Sequence, residues 1–107
     1  MSPETLEALK GSIEKWDKIA AGAGVDEGVV NCPLCQLFWH VKDGCGDCPV
    51  KQATKQNYCS GSPYNEWERE GFRSIAQDDA SDAELALRLS LQEAEFLRSL
   101  LPKEETT

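Results

Sequence analysis

The sequence is short of what most catalytic sites need. It holds one histidine, His40, so no histidine-based general-base network can form. It contains no Ser–His–Asp set, no phosphate-cradling glycine loop and no HExxH motif. No two carboxylates are spaced as an acid–base pair, and the chain reads as a non-enzyme. It also lacks any apolar run of the roughly 18 residues that a membrane span requires. The opening residues MSPETLEALK do not have the basic-then-apolar order of a secretory signal, so a cytoplasmic location is expected. Positive charge is scarce as well. Lys and Arg number 11 against 19 Asp and Glu, a net charge of -8. Residues 61–107 carry most of the imbalance, with 11 acids against 5 bases. Phosphate recognition rests on clustered cations, so nucleic acid and anionic membrane surfaces are poor partners.

What is present suits one small domain over residues 1–107, with 40% hydrophobic and 28% charged residues. Residues 2–21 have a helical signature. Ser2 can cap, and Pro3 fits the first helical position, where its missing N–H is no loss. Leu6, Leu9, Ile13, Trp16, Ile19 and Ala20 fall on one stripe, with Glu7, Lys10, Glu14, Lys15 and Lys18 outside it. Gly22 and Gly24 end the helix, and residues 25–31 connect. Ser62-Pro63 repeats the cap-then-proline signal and opens a short helix at 63–70, which Gly71 breaks. Ser81 to Glu84 has the form of a capping box, so a long helix is expected over 82–101, stopped by Pro102. Residues 102–107 read as a frayed tail.

All five cysteines lie in residues 32–59, where no hydrophobic period is sustained. Their order is Cys32-x2-Cys35, then Cys45-x2-Cys48, then Cys59. Two close pairs of thiolates can approach one ion from two tight turns and complete a tetrahedron. Zinc held by Cys32, Cys35, Cys45 and Cys48 is therefore the expected cofactor. Cys59 is an alternative ligand and His40 a weaker one. Spacing leaves other readings open. Cys48-Pro49 suits an iron–sulfur ligand, Cys32-Pro-Leu-Cys35 has dithiol redox spacing, and the thiols can simply be small buried hydrophobes. Ordering a segment with so few aliphatic anchors costs on the order of 1.5 kcal/mol per residue, and a structural zinc supplies an apparent ~10–16 kcal/mol. The fold class expected is mainly α, a small helical domain organised around a cysteine-rich metal-binding loop module.

The series Trp16, Asn31-Cys32-Pro-Leu-Cys35, Cys45-Gly-Asp-Cys48-Pro49-Val50, Cys59, Ser62-Pro63-Tyr64 and Trp67 resembles small cysteine-rich proteins encoded by phages and prokaryotic genomes. The likeness spans roughly residues 12–67 and brings no activity with it. It implies that Cys59 belongs to the site region and that Tyr64 and Trp67 pack against the cysteine module. The plainer reading of both aromatics is core packing.

The last helix carries leucines nearly all round. Leu85, Leu89, Phe96 and Leu100 share a face, Leu87 and Leu91 lie almost opposite, and Ala86, Leu97 and Leu101 fall between. Such a helix needs two partner surfaces. One candidate is the first helix, the other a second copy of the chain or another protein. Leu85, Ala86, Leu87, Leu89, Ser90, Leu91 and Phe96 are the expected contact residues. The string Ala86 to Glu93, preceded by Asp78, Asp79, Asp82 and Glu84, resembles the ubiquitin-interacting motif, with Ala86 and Ser90 on the contact face. It departs from that motif at Ala83, where a larger apolar residue is usual. The function expected is a zinc-stabilised protein-interaction module, self-associating or partner-binding through its C-terminal helix. The alternatives are a ubiquitin-binding adaptor and a dithiol or iron–sulfur redox protein.

Overall fold

A computed structural model describes residues 3–38, 49–54, 62–75 and 79–102. Helix α1 runs Pro3–Ala20 and is followed by a 3-10 turn at Gly28–Asn31. Three short helices come next: α2 (Pro33–Phe38), α3 (Pro49–Thr54) and α4 (Pro63–Arg69). The long helix α5 spans Ala83–Arg98. All four helices before α5 open on proline, the residue pre-set for the first turn. Among the described residues, no helix is long and apolar enough to cross a membrane.

The stripe expected on α1 is the buried one. Leu9, Ile13, Trp16 and Ile19 face the core, joined by Ser12. Helix α5 packs along α1 and also against α4. Two of the surfaces that cover α5 thus come from within the chain, and Leu87 and Leu91 stay outside both. Its buried face is made by Ala86, Leu89, Ser90, Glu93, Ala94 and Leu97. That is the arc expected to be intermediate, while Leu85 and Phe96 sit half-buried at its border.

An aromatic string ties α1 to α4 and to the segment that follows it. Trp16 meets Tyr64 and Trp67 edge-on, at centroid distances of 5.7 Å and 5.1 Å. Trp67 meets Phe72 the same way at 5.3 Å. Edge-to-face pairs of this kind add stabilisation beyond buried area, since ring edges are positive and faces negative. Trp67 is thus a core aromatic packed on Trp16, and Tyr64 packs half-buried beside it.

The middle of the chain corrects the expected fold class. Among the described residues, no group of three or more His, Cys, Asp or Glu is placed to hold a metal ion. What anchors the described part of residues 32–59 is apolar burial. Leu34 of α2 and Val50 of α3 are 3% and 2% exposed, in the same core as Trp16 and Leu97. Helix α2 seats closely on α1 because position 11 has no side chain: a Cβ on Gly11 would stand 3.1 Å from Pro33 Cγ. Beside it, the Leu34 N–H donates to Ser12 Oγ at 3.3 Å, which gives the start of α2 a partner inside the core.

The helix ends follow local chemistry, with one shift. Helix α5 is capped by Asp82 rather than Ser81; its carboxylate accepts the Leu85 N–H at 3.0 Å. An aspartate there satisfies an orphan donor and also complements the helix dipole. The helix closes at Arg98, short of the expected Leu101. Gly71 ends the α4 region with φ +78° and open space around it. Gly71→Ala should therefore cost about 1 kcal/mol through backbone strain alone. The check is the urea midpoint; an unchanged midpoint would show that this φ is not held in solution.

Candidate functional site

The expected metal ligands are placed only in part. Cys45, Cys48, Cys59 and His40 lie outside the described residues, as does the side chain of Cys35. Cys32 packs half-buried against the core. With no ligand group among the described residues, the zinc, iron–sulfur and dithiol readings do not carry forward as an account of the fold or its function. The zinc-stabilised module is replaced by a helical module held by apolar packing.

The contact residues expected on α5 separate into two sets. Ala86 and Ser90 are wholly buried, and Leu89 is buried with them. The Ser90 hydroxyl donates to the Leu87 carbonyl at 2.8 Å, inside its own helix. A ubiquitin-interacting helix must offer its alanine and serine to the partner, so that reading is overturned. Leu87 and Leu91 face outward, 36% and 51% exposed, one turn apart. Around them Glu84, Arg88, Gln92, Glu95 and Arg98 are all exposed.

A second constellation lies inside and was not expected. Asp26 in the connector is wholly buried. Its Oδ1 accepts from Lys15 Nζ at 2.7 Å and from the Gly28 N–H at 2.9 Å. Its Oδ2 accepts from Trp67 Nε1 at 3.1 Å. The Tyr64 hydroxyl also bonds this carboxylate; burial, then the charge and hydrogen bond of Asp26, push the Tyr64 pKa well above its ordinary value. The Asp26 carbonyl accepts the Ser74 N–H, and Ser74 sits at φ +65° to give it. One aspartate thus joins α1, the 3-10 turn, α4 and the segment after it. Lys15 also lies 5.3 Å from the Trp16 ring centroid.

Glu93 is the other buried carboxylate, 2% exposed on the inner face of α5. It accepts from the Tyr64 backbone N–H and the Ser62 hydroxyl, at the start of α4. Ser62 occupies the cap position of α4 but makes no side-chain cap bond of its own. A side chain from α5 takes over that role. Among the described residues, the Oε1 of Glu93 has no hydrogen-bond partner. Burial lifts the Glu93 carboxyl from 4.5 to about 7, against the lowering effect of Tyr64, Lys15 and Ser62. Both carboxylates are shut away from water, so in this conformation their work is to join elements. Among the described residues, the exposed large apolar side chains are Leu37 of α2 and Leu87 and Leu91 on the outer face of α5.

Comparison with protein-family models, curated proteins and solved structures finds no match.

Proposed function

We propose that the protein is a partner-binding helical module whose contact element is the outer face of α5. One observation carries this reading. Every apolar residue of α5 is buried or half-buried against the body except Leu87 and Leu91, which stand together on its solvent side. Single exposed leucines are ordinary, but a pair one turn apart on a rigid, well-packed helix makes a small apolar strip with a charged border. The partner is a protein surface; a net charge of -8 argues against phosphate-rich partners.

The test is a photo-crosslinking amino acid at position 91, with position 10 on the exposed side of α1 as control, in cells making the protein. Adducts specific to position 91, and lost on Leu87→Glu, are expected. Equal yields at the two positions, or none at either, would overturn the reading. Leu87→Glu should leave the circular dichroism spectrum unchanged and the stability within about 0.5 kcal/mol of the parent, because the site is exposed.

A further inference from the structure

We infer that the partner seated on the outer face of α5 is a second copy of the same chain, paired antiparallel about a two-fold axis at Leu91. This rests on the reading of that face as a contact surface and adds its occupant.

The argument is self-complementarity. A two-fold interface brings the same patch of each copy together, so the patch must match its own reversed image. The outward residues Glu84, Leu87, Leu91, Glu95 and Arg98 follow one another at spacings of 3, 4, 4 and 3, a pattern symmetric about Leu91. At about 100° per residue they fall within roughly 80° of arc, one stripe along the helix. Reversal about Leu91 sets leucine on leucine at the centre and Leu87 of each copy beside Glu95 of the other, so the match is one of the central contact and of charge rather than of every residue. It brings Glu84 to Arg98 of the second copy, opposite in charge. Arg88 and Glu95 lie on the same flank of the stripe, and same-flank positions meet in antiparallel pairs. Arg88 of each copy therefore lies beside Glu95 of the other.

The charge of this face supports the same occupant. Two acids and two bases make it neutral, whereas α1 exposes Glu4, Glu7 and Glu14 against Lys10 and Lys18. In a chain of net charge -8, a locally neutral strip is where two copies can approach with least repulsion. Arg98 also pairs with Asp17 of α1 while staying about half exposed, and its guanidinium has donors to spare for a second carboxylate. A strip with two leucines per copy buries little area, so the pairing is weak and concentration-dependent.

Sedimentation equilibrium of the full chain up to millimolar concentration, in about 0.15 M salt to screen long-range repulsion, tests the pairing. A monomer–dimer equilibrium is expected, abolished by Leu91→Glu. Arg88→Glu alone and Glu95→Arg alone each turn two symmetry-related attractions into repulsions and should weaken dimerisation about tenfold. The double variant Arg88→Glu/Glu95→Arg should restore it, because each new glutamate again meets an arginine of the other copy. Restoration cannot come from repaired folding. Within one helix the first reversal sets an acid beside Glu84 and the second sets a base beside Arg98, and the double variant keeps both losses. A chain that stays monomeric throughout, or a double variant no better than the singles, overturns the second copy as occupant. Position-91 adducts to other proteins would then still uphold the face itself, so the two failures are distinct.

Discussion

Asp26→Ala should remove about 3–5 kcal/mol of stability, a large share of the roughly 5–15 kcal/mol that a small domain holds. The effect is large because of what stays behind. Lys15, whose side chain is 9% exposed, loses the carboxylate 2.7 Å from its ammonium. The indole N–H of Trp67 loses its acceptor inside the core, and the half-buried Tyr64 hydroxyl loses the same carboxylate. Each orphaned neutral donor costs about 1–3 kcal/mol, and a buried cation costs more. Asp26→Asn keeps the shape but not the charge, and should cost about 2–3 kcal/mol. Adding Lys15→Met to Asp26→Asn should recover part of that loss, since it removes the cation that the amide cannot satisfy. Urea unfolding followed by tryptophan fluorescence reads all of these, with Trp16 and Trp67 in the core as reporters. A loss below about 1 kcal/mol for Asp26→Ala would show that the network does not hold these elements together.

That aspartate also marks the boundary of what the sequence discloses. Asp26-Glu27-Gly28 has the form of a local turn in which an aspartate bonds the N–H two residues on, and the Gly28 N–H does so. Its bonds to Lys15 and Trp67 span 11 and 41 residues, and nothing in local pattern points to them. The helices are legible for the opposite reason. Periodicity, prolines and glycines act within a few residues, and they place α1, α4 and α5 to within one to three residues at each end. The cysteine pairs show how spacing can mislead. Two close pairs fit a metal site, but spacing alone does not show that they converge, and the described core draws Leu34 and Val50 in by apolar burial instead. The leucines of α5 do need two surfaces, as their distribution implies. Nothing local could reveal that α1 and α4 cover most of them and leave Leu87 and Leu91 of α5 outside.

Glu93→Gln should raise stability near pH 8 by about 2–3 kcal/mol and remove a pH dependence that the parent shows. The period of α5 already sets Glu93 on the stripe of Ala86, Leu89 and Leu97, where a carboxylate must give up its hydration. The groups around it are Lys15 from α1, Asp26 from the connector, and Ser62 and Tyr64 from the start of α4. Burial raises its carboxyl most, Asp26 adds to the rise, and the lowering effect of Tyr64, Lys15 and Ser62 does not offset them, so it is pushed up to about 7 from an ordinary 4.5. The native state therefore holds a proton between these values that the unfolded chain has released. Its contribution to stability is fully present below about pH 4.5, falls as pH rises through the window, and is gone above about pH 7. The shift corresponds to about 3 kcal/mol across the window. Glutamine keeps an acceptor for the Tyr64 N–H and the Ser62 hydroxyl but never ionises. The variant and parent should match near pH 4.5 and diverge towards pH 8, where the variant melts about 10 °C higher. Its amide nitrogen inherits the place of the partnerless Oε1, which keeps the gain below the full shift. Thermal melts of both proteins across this pH range decide the matter. Parallel curves for parent and variant would show that another group titrates, and that the link from α5 to the start of α4 does not depend on the charge of Glu93.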